Sequence, residues 1–279
     1  MKKICIGISA LFALLVVAGI IAAAIARSPG GDKVGLVRIE GAIASSGDAV
    51  RAIDAYMRDP SVKAVVVRVD SPGGGVAPSQ EIYEELKKTA ARKKVVVSMG
   101  SLAASGGYYI SCTASRIYAD PGTITGSIGV IMEVPNFEGL MDKIGVKAEV
   151  VKAGAHKDLA SPFRKMGPQD KKIIQNVLDD VHEQFIEAVA QGRKMPVDKV
   201  RQIADGRIFS GRQAISEGLV DKIGDLEDAI AGAKKLAGLK PDAPVIEKKK
   251  GRSLFDILKT KAGFSGSAPF ARFSYLYTP

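Results

Sequence analysis

The stretch Lys94–Ser111, KVVVSMGSLAASGGYYIS, decides the reading of the fold. Its first half, KVVVSMG, is a short apolar run rich in valine, the pattern of a strand buried on both faces of a parallel sheet. Its second half is built largely from alanine, serine and glycine and opens a helix. A buried strand passing straight into a helix is one unit of an α/β domain. Ser105 stands at the joint, between two alanines and two glycines. Two readings of it are open. The small residues allow close helix packing and Ser105 is a plain N-cap. Alternatively Ser105 is a nucleophile, cleared of bulky neighbours so that a substrate backbone can reach it. The helix N-terminus and the Gly106 N–H would then lie near the developing negative charge.

The same alternation extends outward in both directions. Upstream lie a strand at KVGLVRIEGAI (Lys33 to Ile43), an amphipathic segment at DAVRAIDAYMRD, and a second valine-rich strand, VKAVVVRVD. SPGGG breaks the chain before the helix SQEIYEELKKTAARK. Downstream come a short strand RIYAD, the stretch PGTITGSIGVI, a helix NFEGLMDKIG and a strand KAEVVKA (Lys147 to Ala153). A long helix starts near Gly167, with Ile173, Ile174, Val177, Leu178, Val181, Phe185 and Val189 at close to helical spacing. Two shorter helices follow, at PVDKVRQIADG and SGRQAISEGL. The pattern predicts an α/β domain with a mainly parallel sheet and flanking helices. The tail from Lys240 has weak periodicity and is expected to be flexible or docked on a neighbouring copy.

Charge and cysteine content narrow the function classes. The formal net charge is +10, but the basic residues are scattered along amphipathic segments and no nucleic-acid signature occurs. The one dense basic run, EKKKGR from Glu247 to Arg252, reads as a solvated linker or a lipid-headgroup contact. Cys5 and Cys112 are the only cysteines and are read as unpaired; with His156 and His182 the only histidines, no metal or cofactor site is expected.

Lys2 and Lys3 precede an uncharged run from Ile4 to Ala26. At ~1.5 Å rise per residue that run spans roughly 34 Å, enough for a bilayer core of about 30 Å. It is longer than the apolar region of about 7–15 residues in a cleavable signal peptide. The expectation is therefore a cytoplasmic 1–3, a single-pass transmembrane anchor at 4–26, a tether at 27–33, an extracytoplasmic domain at 34–239 and a tail at 240–279.

Three glycines in RVDSPGGG (Arg68 to Gly75) let the backbone turn sharply and present bare N–H groups. No G-x-G-x-x-G or G-K-[ST] pattern is present, so a phosphate cradle is disfavoured. An oxyanion site using Gly73 or Gly74 and a ligand-free strand–helix turn both remain open. Ser105 needs a base. His182 lies inside the long helix; His156 and Lys157 lie together in GAHKDLASP. A lysine serves if burial lowers its pKa from ~10.4 to about 7–8, which costs about 4 kcal/mol and requires that no carboxylate pair with it. Asp158, its neighbour, is the obvious threat.

VVVRVDSPGGGV, VVSMGSLAASGGYYIS, PGTITGSIGVI, AGAHKDLASPFRKM and ADGRIFSGRQAISEGLVDKIG, taken in order, resemble the short single-repeat form of the signal peptide peptidase A family. The resemblance covers roughly Val34 to Leu239 and the anchor. It implies a Clp/crotonase-like fold and a membrane-bound serine endopeptidase that clears remnant signal peptides and other apolar peptides. It further implies Ser105 as nucleophile, Lys157 as general base, Ser127 orienting Lys157, and the N–H groups of Gly73 and Gly106 as oxyanion hole. It implies no cofactor, peptide substrates, no nucleic acid, and a ring, an octamer, whose sites are shared between neighbouring subunits. Two other classes are carried forward: a crotonase-like acyl-CoA enzyme, and a non-catalytic membrane scaffold that only binds peptides.

Overall fold

The computed structural model describes residues 31–248 and 273–276. The expected anchor at 4–26, Cys5 and most of the tail lie outside these residues. Among the described residues no helix is long and apolar enough to cross a membrane.

The valine-rich runs form the centre of one eight-stranded sheet. Its strands are β1 (Lys33–Glu40), β2 (Val62–Ser71), β4 (Lys94–Ala104), β5 (Arg116–Ala119), β9 (Lys222–Ile223) and β10 (Val245–Glu247), in the order β10-β1-β2-β4-β5-β9. Every neighbouring pair in that order is parallel. A short strand, β6 (Ile124–Gly126), runs parallel to the far end of β4, and β8 (Ile208–Ser210) pairs antiparallel with β6. This is the expected mixed α/β domain with a mainly parallel sheet.

Helices cover both faces, which explains why the strands read as unbroken apolar runs. Along β2, Val65, Val67 and Val69 face one layer, whereas Ala64 and Val66 face the other. The first layer holds α1 (Gly47–Arg58), α2 (Val76–Ala90), α3 (Gly106–Ser111), α5 (Pro168–Arg193), α6 (Val197–Ile203) and α7 (Gly211–Ser216). The second is α8 (Leu226–Leu236), through Ala229, Ile230 and Ala233. The joint between β4 and α3 is held tightly. All six residues of α3 are buried, and Tyr108 donates its hydroxyl to the Leu219 carbonyl at 3.0 Å. Cys112, just beyond, is buried and its thiol is pushed up to about 12 by desolvation, as expected of a small core residue.

One sequence expectation fails. Lys147–Ala153 is no strand; it lies exposed in a projecting arm, residues 133–166, which carries the short helix α4 (Glu138–Lys143). Val150 and Val151 give it strand composition, but a strand needs a partner and the single chain offers none there. Within the tail, Phe273–Leu276 forms strand β11, paired within the same chain. It is the middle strand of a second, three-stranded sheet, antiparallel to both β3 (Gly73–Gly75) and β7 (Ile131–Met132).

Candidate active site

β4 ends at Ala104, and Ser105 makes the turn into α3 with φ 54° and ψ −118°. That conformation is rare for a residue with a side chain and is a local store of strain, commonest where function requires it. The Ser105 side chain makes no capping hydrogen bond to α3, so the plain N-cap reading does not hold. Its backbone is fixed instead: the Ser105 N–H donates to the Gly126 carbonyl at 2.8 Å, and its own carbonyl accepts from Tyr109 N–H at 2.8 Å. Ser105 is buried, at 1% exposure.

Ala104 pairs with Gly126, so Ser105 and Ser127 leave adjacent parallel strands side by side. Ser127 is also strained, with φ 51°, and its N–H donates to the Arg207 carbonyl at 2.8 Å. Two of the three non-glycine residues with positive φ among the described residues thus sit at this joint.

The glycine turn of Ser71–Gly75 comes to the same place. Gly73 has φ +94°. A Cβ placed on it would stand 2.0 Å from the carbonyl oxygen of Tyr275 and 2.5 Å from the backbone nitrogen of Gly106. A Cβ on Gly106 would stand 3.1 Å from that same Tyr275 oxygen. One backbone carbonyl of β11 therefore lies between the two predicted oxyanion glycines. The Gly73 N–H itself donates to Ser71 Oγ at 3.1 Å, so serving an oxyanion requires it to share or leave that bond. The glycine strand is held from behind by Ile43, whose N–H donates to the Gly73 carbonyl at 2.8 Å and whose carbonyl accepts from Gly75 N–H at 2.9 Å. Buried Ser79 fixes its other end, donating to the Gly75 carbonyl at 2.9 Å. Sequence reading missed Ile43 and Ser79, because neither carries a local signal.

Lys157 is not brought to Ser105 within one chain. It lies exposed on the arm, and no hydrogen bond joins its side chain to Ser105 or Ser127 among the described residues. The feared partner is engaged elsewhere. Asp158 accepts from Arg164 Nε at 2.9 Å and Nη2 at 3.2 Å, and from Lys152. Those cations, Arg164 first, hold its carboxyl well below the usual range. Arg164 also donates to Asp170 Oδ2 at 2.7 Å, and His156 Nδ1 lies 3.6 Å from Asp170 Oδ1. His156 is thus part of the arm's charge network. His182 lies on α5, half-buried, where the sequence placed it.

A strand–helix joint with a strained serine, beside a glycine strand that accepts an antiparallel peptide, is the arrangement of a hydrolase acting on extended chains. Comparison with known proteins agrees. Residues 87–240 match the model of Peptidase family S49, and the chain belongs to that family, a serine-type peptidase. A protein of Synechocystis sp. named as a protease, slr0021, is 46% identical over 211 residues, covering 75% of this chain and 76% of the relative. An Enterococcus faecium protein named as a signal peptide peptidase SppA is 44% identical over 195 residues, 68% of this chain and 56% of its own length. Among solved structures, a ClpP1 mutant from Listeria monocytogenes is 17% identical and aligns with a TM-score of 0.48, over 70% of this chain and 94% of that one.

Proposed function

We propose that the chain is a membrane-anchored endopeptidase that cuts apolar peptides, remnant signal peptides among them, with a Ser105–Lys157 dyad shared between neighbouring copies. The observation that carries this reading is the position of β11. A strand already lies antiparallel on Gly73–Gly75, with a backbone carbonyl between Gly73 and Gly106, the residue after Ser105. A substrate bound the same way, by main-chain hydrogen bonds, presents its scissile carbonyl to the serine.

The steps follow from that placement. The unprotonated Lys157 amine takes the Ser105 hydroxyl proton as Oγ bonds to the carbonyl carbon. The backbone N–H of Gly106, with that of Gly73 once freed from Ser71, receives the charge on the oxygen. The C–N bond breaks as Lys157 returns the proton to the leaving amine. Water, deprotonated by the same amine, then hydrolyses the Ser105 ester. No metal or cofactor enters these steps.

Lys157 works as a base only out of water, and in a single copy it is exposed. The arm around it also exposes Leu140, Ile144, Val146, Val150 and Val151. An apolar surface of that kind supports burial against another copy. A neighbour that covers the arm dries the amine and brings it to a serine; a closed ring such as an octamer does this for every copy.

Lys157→Ala is expected to lower peptide cleavage by at least about 10³-fold, with His156→Ala retaining activity. Mixing the inactive Ser105→Ala and Lys157→Ala proteins and allowing subunits to exchange is expected to restore part of the activity. Mixtures that stay inactive after proven exchange place both groups in one copy and overturn the shared site. The anchor at 4–26 predicts that the full chain stays with the membrane pellet after alkaline carbonate extraction. Release into the supernatant removes the membrane part of the proposal. Membership in a peptidase family leaves the acyl-CoA reading without support. A silent scaffold is recognised by failure of Ser105 to react with a fluorophosphonate probe.

A further inference from the structure

The side chain of Tyr275 enters a pocket that is apolar along its walls and polar at its end. Its ring is stacked on Tyr109 at 5.1 Å between centroids and lies 4.8 Å from Phe185. Tyr109 in turn meets Tyr83 at 4.8 Å and Phe185 at 5.0 Å, so three aromatic rings from α2, α3 and α5 form one cluster around the pocket. Tyr275 is fully buried there. An ordinary apolar pocket ends in hydrocarbon. This one ends in the backbone carbonyl of Val181, which accepts from the Tyr275 hydroxyl at 3.1 Å.

The backbone sets which substrate position this pocket serves. The carbonyl between Gly73 and Gly106 belongs to Tyr275 itself, so the caged side chain is that of the residue just before the scissile bond. We propose that this groove selects tyrosine at the residue preceding the cut, with the Val181 carbonyl reading the phenol hydroxyl. The chain's own Tyr275 is the ligand seen in the pocket. The assignment of the cut rests on Ser105 as nucleophile; the preference for a phenol rests only on the pocket.

The physical argument is asymmetric. Phenylalanine fills the cage equally well but forgoes the bond to the Val181 carbonyl, which then keeps only the bond of its own helix. Leucine loses in addition the stacking on Tyr109. A net hydrogen bond of ordinary strength corresponds to a tyrosine preference of about 3–10-fold over phenylalanine. Leucine falls further.

The test uses the full chain and capped peptides of sequence FSYL, with phenylalanine or leucine in place of the tyrosine. Binding is measured on Ser105→Ala, where the chain's own strand competes equally with each peptide and leaves the ratio intact. Cleavage is measured on the unaltered chain as kcat/KM. Tyrosine is expected to lead phenylalanine by about 3–10-fold in both. Equal or better binding and cleavage of the phenylalanine peptide overturns the proposal. A tyrosine preference in binding with no cleavage of any peptide upholds the pocket and defeats the proposed peptidase chemistry instead. The two readings therefore fail separately.

Discussion

Ser105→Ala is expected to abolish labelling by a fluorophosphonate and to lower kcat/KM for peptide cleavage by at least about 10³-fold, while the protein stays folded. The magnitude follows from the role. Without Oγ no acyl-enzyme forms, and the glycine amides alone leave only a residual rate. The fold survives because the side chain caps nothing, and the backbone bonds to Gly126 and Tyr109 do not involve Oγ. Ser105→Gly sharpens the test. At φ 54° and ψ −118° a Cβ is a burden, so glycine is expected to raise stability by about 1 kcal/mol while activity is lost just as completely. A gain in stability with loss of function identifies strain kept for chemistry. If Ser105→Ala retains more than a tenth of the activity, Ser105 is not the nucleophile.

The second large effect is expected at a residue that carries no reactive group. Gly73→Ala places a methyl 2.0 Å from the Tyr275 oxygen and 2.5 Å from the Gly106 nitrogen, at a backbone φ of +94° that disfavours any side chain. The Gly106 nitrogen is backbone fixed at the start of α3 and cannot swing aside. The methyl occupies the point where a scissile carbonyl has to sit. A fall of about 10²–10³-fold in kcat/KM is expected from losing the oxyanion geometry, with about 1–3 kcal/mol of destabilisation from the strained backbone. The same methyl expels β11, so a tail peptide is expected to lose affinity in parallel. Near-normal cleavage by Gly73→Ala removes Gly73 from the oxyanion site, and the bond from its N–H to Ser71 Oγ becomes its whole purpose.

Much of this architecture was legible before any coordinates. The runs VKAVVVRVD and KVVVSMG could be assigned to central strands because a parallel strand is buried on both faces and needs apolar residues throughout. Ser105 and the three glycines could be singled out because a tight turn beside a reacting group excludes bulky side chains, and that exclusion is written locally. Lys147–Ala153 shows the limit. Its valines have strand propensity, but propensity describes how a residue fits a sheet, and no strand stands beside these residues in one copy. Ile43 and Ser79 escaped notice for a related reason: each acts through a contact with the glycine strand that its own neighbours in sequence do not announce.

From the order of its residues alone the chain specified its layered α/β core, the strand–helix joint and the serine placed upon it. These depend on steric limits and apolar periodicity within a few residues of each position. Only the folded chain could decide what lies over that serine. Phe273–Leu276 meets Gly73–Gly75 although most of the sequence lies between them, and Tyr275 finds its cage among rings from three separate helices. Pairings over such distances are chosen by the total free energy of the packed structure, in which any one quartet of residues is a minor voice.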